Sequence, residues 1–335
     1  MIEKDFKEII AKIKTQIIVT QTEIMKQANK QLLDLYFDLG KIISEKSNWG
    51  NKFVDNLSTE LRLNFPNIRG FSVRNLKNMK KFYEEYKDNK IMQMMSAQIP
   101  WSHNIIIIDK IKDKQSRKWY IEQTIKNSWS YDILSFQIKN AIYKRQTKSN
   151  KLNNFDRTLN EIQSDLAIEM QKDPYIFDIA TLRRNYIEKE LEQALLERIK
   201  NVLIELGNGF SFVGSQYKIT VGNKDYFIDL LFYHLNLRCF VVVELKINEF
   251  KPEHAGKLNF YLSAIDDVLR KKQDNPTIGL ILCQDKDKFT VKYSLNGVNK
   301  PIGVSSYKIT KFLPKNIIDK LPSEEDINFH ISIKE

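Results

Sequence analysis

Two acidic residues and one lysine stand out because they lie in or beside apolar, strand-like segments. Asp229 is in the middle of FIDLLFY, Glu244 is near the end of CFVVVEL, and Lys246 follows two residues later. A carboxylate is costly to bury unless it is paired or bound to a metal. Hard oxygen ligands of this kind suit Mg²⁺ or Mn²⁺, and a nearby lysine can orient a water molecule, lower its pKa or stabilise charge on a phosphate. The three residues therefore indicate metal-assisted hydrolysis.

The spacing of the two carboxylates fits neighbouring strands of a hairpin. A turn at Asn236-Leu237 puts Asp229 directly opposite Glu244, whereas a turn at Leu235-Asn236 leaves Glu244 diagonal to it on the same face. Opposed Cβ atoms lie about 4.5–5.5 Å apart, so the two negative charges would repel each other unless a cation lies between them. Strand alternation places Lys246 on this face as well. The alternative is a surface hairpin whose polar face carries these residue types.

The elements around these residues alternate between helices and strands. Apolar residues at three- and four-residue steps predict one helix over 187–206, and Gly207-Asn208-Gly209 ends it. Apolar runs separated by turn residues predict the strands that follow. In order, these elements are the strands Tyr217–Val221, Tyr226–Tyr233 and Arg238–Leu245, the helix Glu253–Arg270, and the strands Ile278–Cys283 and Val304–Lys308. We expect a mixed sheet flanked by helices.

The first half of the chain has a helical pattern. A helix is predicted over about 5–45, with Gly40 interrupting it or helping to end it. The turn Phe65–Gly70 leads to a helix over Val73–Tyr86, for which Ser72 is the predicted N-cap. A short helix, a turn with glycine and a basic helix form the outline of a helix-turn-helix reader. The cations that we expect to contact phosphates are Arg69, Arg74, Lys77, Lys80 and Lys81.

The net positive charge of the chain lies in this first half. Residues 1–150 contain 27 Lys and Arg against 16 Asp and Glu, whereas the remainder contains 26 of each. Such asymmetry favours a polyanion-binding module, although an AT-rich genome that encodes many Lys and Asn residues would give a similar excess. We predict a helical DNA- or partner-binding domain over 1–148, a connecting segment over 149–180 and an α/β domain over 181–335.

Composition and apolar runs exclude several classes of protein. Runs such as Ile105–Ile108 and Phe240–Val243 are too short to span a bilayer, and the charged N-terminal segment does not resemble a secretory signal. Cys239 and Cys283 lie in apolar runs and are predicted to be buried free thiols rather than a disulfide or a metal pair. We therefore expect no membrane association and a cytoplasmic location.

The run Tyr226–Leu262 resembles the signature of the YhcG-like family of PD-(D/E)xK nucleases. The segments LYFDLGKIISE, QIPWSHNIIIIDKI and NSWSYDILSFQI resemble the winged-helix-like N-terminal domain of the same family. The resemblance covers nearly the whole chain. It implies an α+β protein with a helical, winged-helix-like N-terminal domain and a restriction-endonuclease-like α/β domain that has a mixed central sheet.

The resemblance also assigns residues to roles. Asp229 matches the motif aspartate, and Glu244 with Lys246 matches the D/E-x-K pair, so Asp229, Glu244 and Leu245 are expected to hold the metal. The position of the superfamily's proline is occupied by Ile228, which carries no catalytic group. The remaining candidates are Glu192 as a further catalytic acid with Glu188 as the alternative on the same helix, Lys257 and Tyr261 as nucleic-acid contacts at the positions of a Gln-x-x-x-Tyr motif, and Gln216 as a weaker candidate.

Two functions remain open at this point. The resemblance implies a Mg²⁺-dependent nuclease, with Mn²⁺ as a possible substitute, whose second half hydrolyses phosphodiester bonds, of DNA above all, and whose first half binds DNA or a partner. The alternative is a catalytically silent protein of the same fold that acts as a DNA-binding or assembly adaptor. Superfamily members are often dimers, so a homodimer is a further expectation.

Overall fold

The computed structural model describes residues 2–46, 52–179 and 186–310. It divides into two compact units, Met1–Ser135 and Phe136–Glu335, which we call the helical unit and the sheet unit. We predicted the end of the first domain at 148 instead. The chain after Ser135 joins the sheet unit because Arg145 forms a buried ion pair with Glu205 and donates a hydrogen bond to the carbonyl of Pro174 at 3.0 Å.

The helical unit consists of helices and loops, and its described residues contain no strand. A helical N-terminal region is therefore confirmed, and the wing implied by the resemblance stays a prediction. The helices are α1 (Ile2–Glu45), α2 (Phe53–Asn64), α3 (Val73–Tyr86), α4 (Lys90–Ser96), α5 (Trp101–Lys110), α6 (Lys114–Asn127) and α7 (Tyr131–Lys139), the last of which crosses into the sheet unit.

Helix α3 has the predicted bounds, whereas α1 differs from the prediction at Gly40. The Ser72 hydroxyl accepts the backbone N–H of Asn75 at 3.3 Å, as expected of an N-cap. Helix α1 runs through Gly40 without a break. A Cβ atom at Gly40 would collide with the backbone carbonyl of Met79 in α3. Glycine is required here because it allows α1 and α3 to approach closely, not because it ends the helix.

After α7, the described residues of the sheet unit contain seven strands, six α-helices and one short π-helix, Lys144–Lys148. The strands lie in the order β1-β7-β6-β5-β4-β3, and β2 pairs with β7 on the same side as β1. The elements are β1 (Leu152–Asn153), α8 (Phe155–Thr158), α9 (Glu161–Met170), β2 (Tyr175–Asp178), α10 (Glu188–Leu196), α11 (Ile199–Leu206), β3 (Phe210–Val221), β4 (Lys224–His234), β5 (Cys239–Leu245), α12 (Pro252–Val268), β6 (Ile278–Cys283), α13 (Lys288–Leu295) and β7 (Ile302–Thr310).

The sheet is mixed and covered on both faces. Strands β3, β4 and β5 pair in antiparallel fashion, whereas β5, β6 and β7 are parallel. One core lies between the sheet and α9, α10 and α11, and the other lies between the sheet and α12 and α13. Strand β6 is buried along its whole length, which is typical of a central parallel strand. Cys239 and Cys283 are buried and free, as predicted.

Two features of this unit differ from the predicted elements. The single helix predicted over 187–206 is two helices, α10 and α11, with the break at Glu197-Arg198. The apolar spacing continues across the break because both helices pack on the same core, so periodicity alone could not reveal it. The segment predicted as a connection, 149–180, contributes β1, β2, α8 and α9. None of the helices in the described part of the chain is long and apolar enough to cross a membrane.

Candidate active site

The hairpin of β4 and β5 brings Asp229 and Glu244 together. The strands pair from His234 with Cys239 to Leu230 with Val243, which is the register of a turn at Asn236-Leu237. The next position on each strand is Asp229 and Glu244. The Oδ2 atom of Asp229 accepts the backbone N–H of Leu245 at 2.9 Å. Of the two turns that we considered, the one observed is the one that opposes the carboxylates.

Glu244 is the most deeply buried acid of this region, with a side-chain exposure of 0%. Its Oε1 atom forms an ion pair with the Nζ of Lys246 at 3.1 Å and accepts a hydrogen bond from the Nζ of Lys257. Its Oε2 atom is buried and has no hydrogen-bond partner among the described residues. A buried carboxylate oxygen without a partner is costly and is a place where a cation would be stabilised.

Asp229 has strongly altered acidity. Burial, followed by the neighbouring charge of Glu244, raises the pKa of Asp229 to about 7. The hydrogen bond from Leu245 and the charges of Lys246 and Lys257 act in the opposite direction but do not cancel the rise. Close carboxylates in a buried setting resist simultaneous ionisation, which a divalent cation would relieve.

Lys246 is held in place by three acceptors. Its Nζ atom donates to Oε2 of Glu188 at 3.0 Å and to the carbonyl of Leu245 at 2.8 Å, in addition to its contact with Glu244. Burial would lower the pKa of Lys246, but the charges of Glu244, Glu188 and Asp229 outweigh it, so the pKa is raised. Lys246 is therefore an ammonium ion at neutral pH and supplies positive charge rather than a free amine base.

The two glutamates considered on α10 occupy different positions. Glu188 is half-buried and pairs with Lys246, whereas Glu192 is buried and its Oε2 atom accepts from Nε2 of Gln216 at 2.5 Å. Burial raises the pKa of Glu192, and the charge of Glu244 adds to this. A cavity of about 730 Å³ opens between α10 and the sheet, and the site residues that line it are Glu188, Glu192, Gln216, Asp229 and Leu245.

Gln216 was the weakest candidate in the sequence, yet it lines this cavity. It stands opposite Asp229, between the pairs Ser215 with Leu230 and Tyr217 with Ile228. Its φ of 43° is in the left-handed region, which is unfavourable for a residue with a side chain. Backbone strain of this kind costs of order 1–3 kcal/mol and is often found at functional sites. Hydrophobic periodicity gives no signal for such a position.

Lys257 and Tyr261 lie one helical turn apart on α12, beside Glu244. The Nζ atom of Lys257 is 5.3 Å from the centre of the Tyr261 ring, a cation–π geometry. Tyr261 is only 4% exposed and its ring packs against Lys257; a contact of either residue with nucleic acid stays a prediction. His254 accepts the backbone N–H of Lys251 at 3.1 Å and so caps the start of α12.

The donor set fits a hard divalent cation. The described residues contain no group of three or more His, Cys, Asp or Glu side chains arranged to hold a metal. Mg²⁺ is commonly held by one or two carboxylates with water and substrate oxygens completing its shell, so three protein acids are not required. The unpartnered Oε2 of Glu244, the neighbouring Asp229 and the carbonyl of Leu245 supply oxygens of the right type.

In the helical unit, the five predicted phosphate contacts fall into two groups. Arg69, Arg74 and Lys77 are exposed and have no carboxylate partner among the described residues. Lys81 pairs with Asp109 at 2.7 Å, and Lys80 lies 3.7 Å from Glu84. The first group is therefore better placed to attract a polyanion than the second.

Comparison with known proteins agrees with this geometry. Residues 168–322 match the YhcG PDDEXK nuclease domain, and residues 12–145 match the DUF1016 N-terminal domain. The YhcG protein of Escherichia coli (strain K12) is 28% identical over 341 residues, which span 90% of this chain and 89% of that protein. These matches confirm the resemblance to the YhcG-like family of PD-(D/E)xK nucleases in both halves of the chain. Its sheet unit has the restriction-endonuclease-like fold of the family, joined to a helical N-terminal region.

Solved structures also match part of this chain at low similarity. A repair endonuclease from Pyrococcus abyssi is 17% identical over 38% of this chain and 50% of that chain, with a TM-score of 0.27. A complex of EndoMS with double-stranded DNA is 14% identical over 40% of this chain and 51% of that chain, with a TM-score of 0.27. The chain spans about half the length of each of these structures.

Proposed function

We propose that the sheet unit hydrolyses phosphodiester bonds of nucleic acid, with DNA as the substrate and Mg²⁺ as the metal. The observation that carries this proposal is the buried Glu244, whose Oε2 has no partner among the described residues, beside Asp229 with its raised pKa. A surface hairpin with a merely polar face would leave both acids solvated and would not perturb Asp229. Mn²⁺ has the same ligand preference and is expected to substitute.

The residues of the site divide the work of hydrolysis. Asp229, Glu244 and the carbonyl of Leu245 would hold the metal, and Glu192 faces the same cavity. When bound, the ion lowers the pKa of a water molecule and offsets charge on the phosphate. Lys246 adds a fixed positive charge for the negative charge that grows on the phosphate oxygens during attack. Glu188 holds that ammonium in place until substrate arrives.

Gln216 and Lys257 both contact carboxylates of the site. Gln216 donates to Glu192 and so fixes which oxygen of that acid faces the cavity. Lys257 neutralises Glu244 in the metal-free protein and becomes free to contact a phosphate once a metal replaces it. In the helical unit, Arg69, Arg74 and Lys77 would bind the nucleic acid through salt-sensitive, largely sequence-independent contacts.

Incubation of the purified protein with supercoiled plasmid tests this proposal. We expect cutting in Mg²⁺ or Mn²⁺, none in EDTA, and none by the Asp229→Asn variant in either metal. Asp267→Asn is the matched control, because Asp267 is an exposed acid on α12. The proposal fails if Asp229→Asn cuts as fast as the wild type.

The second candidate is an adaptor that binds DNA without cutting it. It is favoured by one observation, that two ammonium groups already neutralise Oε1 of Glu244 and so compete with a metal. In the plasmid experiment this candidate predicts a shift in gel mobility with intact DNA in both Mg²⁺ and Mn²⁺. Size measurement in solution, with and without DNA, would test the homodimer expected of a superfamily member.

A further inference from the structure

Helix α13 carries two large aromatic side chains on its outer face. Phe289 is 60% exposed and Tyr293 is 70% exposed, and their rings are stacked with centroids 6.5 Å apart and planes 28° apart. The opposite face of the helix is buried through Val291 and Leu295. Exposed apolar side chains that gather in one place commonly mark a binding surface.

A cavity of about 420 Å³ adjoins Tyr293, between α13 and the segment that contains β1 and α8. Its volume is within the range of ligand pockets, roughly 300–1,000 Å³. Asp156 is the one acid among the described residues that line it, and this carboxylate accepts the hydroxyl of Ser164 at 2.6 Å. The cations that line the cavity are Lys151, Arg157, Lys288 and Lys292.

Glu169 and Asp173 partly offset the charge of Lys151, so the positive charge offered by this cavity comes from its other three cations. The guanidinium of Arg157 donates to backbone carbonyls, those of Leu295 and Val298, so it keeps its charge. Lys288 and Lys292 are exposed on the same helix as the two rings. A polyanion with flat, apolar groups would complement both the charge and the rings.

Helix α13 begins at the edge of the sheet that carries the candidate active site. The segments that follow β5 and β6 run side by side, because the N–H of Lys246 donates to the carbonyl of Leu282 at 2.8 Å and that of Phe250 donates to Asp285 at 2.9 Å. Phe289 lies in the first turn of the helix that comes next. Helix α13 and the candidate active site therefore follow neighbouring strand ends.

We propose that α13 and the adjoining cavity bind a single strand of nucleic acid. Its phosphates lie against Lys288, Lys292 and Arg157, and its unpaired bases stack on Phe289 and Tyr293. Stacking requires exposed base faces, which a duplex keeps inside, so the rings favour unpaired strands of any sequence. The inference rests on the proposed function, since it supplies the surface that holds the substrate strand. A second copy of this surface is a poor occupant because the cations would face one another.

The test measures binding without cleavage. Fluorescence anisotropy of the full chain in EDTA would compare labelled oligo(dT) with a labelled duplex of equal length. We expect the Phe289→Ala, Tyr293→Ala double variant to bind oligo(dT) about tenfold more weakly and the duplex as the wild type does. Lys288→Gln with Lys292→Gln should weaken both. Leu235→Ala is the matched control, because Leu235 is 59% exposed in the turn before β5, at the opposite edge.

Three results would overturn the inference. The first is an unchanged oligo(dT) affinity in the double aromatic variant, with thermal unfolding used to verify that the variant is folded. The second is an equal loss of duplex affinity in that variant. The third is full displacement of oligo(dT) by free dTMP at matched nucleotide concentration, which would indicate a mononucleotide site. A wild type that binds through α13 but does not cut plasmid refutes only the proposed nuclease activity.

Discussion

The cations that we assign to capture in the helical unit and those beside the candidate active site are arranged in opposite ways. In the helical unit, Arg69, Arg74 and Lys77 project into solvent with no carboxylate partner among the described residues. In the sheet unit, Lys246 and Lys257 are held against Glu244. Exposed charges attract a polyanion over a distance but are screened by salt, whereas buried, oriented charges act on one atom and resist screening. Under the proposed function, the exposed cations of the helical unit serve capture, whereas the two lysines beside Glu244 serve chemistry.

Removing Lys246 should have the largest effect on turnover. We expect Lys246→Ala to lower the rate of plasmid cutting by about 10²–10³-fold, the usual cost of losing a preorganised charge at a reacting group. Affinity for DNA in EDTA should be unchanged, because the site is not what captures the polyanion. The exposed Lys272 of the sheet unit provides the control variant, Lys272→Ala. Equal losses of affinity and rate would show that Lys246 contributes to DNA binding, which would contradict its assignment to catalysis alone.

The pKa of Asp229 predicts how metal binding depends on pH. Below pH 7 a proton occupies Asp229 in the folded, metal-free protein, so Mg²⁺ has to displace it. We expect the apparent Kd for Mn²⁺, measured by calorimetry, to rise about tenfold for each pH unit below 7 and to level off above it. Asp229→Asn should remove the dependence along with most of the affinity. A Kd that does not change between pH 5 and 8 would contradict the buried, shared-charge geometry.

The same shift predicts the stability of the metal-free protein. The pKa of Asp229 is higher in the folded state than its ordinary value of 3.8, so the folded state binds the extra proton between about pH 4 and 7. The stabilisation is complete below pH 4 and is lost as the pH rises through 7. In EDTA, Asp229→Asn should therefore melt on the order of several °C above the wild type at pH 8 and close to it at pH 4. Saturating Mg²⁺ should reverse the difference at pH 8.

The central hairpin could be predicted from the sequence because the position of its turn and the alternation of its apolar residues lead to the same arrangement. The run between Tyr226 and Leu245 has one compact turn, and the parity of its apolar residues allows Asp229 and Glu244 to share a face in either register. The sequence could not decide between Glu188 and Glu192, because the two residues lie about one turn apart on α10. Their contacts, Lys246 and Gln216, come from strands distant in the chain. The left-handed backbone conformation at Gln216 could not be predicted from the sequence, because no glycine marks this position.

The hydrogen bond from Gln216 to Glu192 predicts a positioning role for Gln216 in the sheet unit. We expect Gln216→Ala to slow cutting roughly tenfold, because Glu192 loses the donor that orients it while the cavity and the metal ligands remain. Gln216→Glu should be slower still, since it adds a negative charge beside Glu192. The pH profile of cutting distinguishes positioning from a structural role. A positioning role requires the acidic limb of the profile to shift, and an unchanged profile with a lowered melting temperature would contradict it.

The smallest effects are expected from substitutions of the exposed cations of the helical unit, which should alter DNA binding and not the rate of cutting. Each phosphate contact contributes about one unit to the slope of log affinity against log salt. We expect Arg74→Gln with Lys77→Gln to lower this slope by roughly 2 for duplex DNA, while the rate at saturating DNA stays unchanged. Lys80→Gln with Lys81→Gln is the matched pair on the same helix, and its effect should be small because Asp109 and Glu84 already compensate those charges. Equal slopes for the two pairs would mean that local ion pairs do not decide which cations of α3 capture the polyanion.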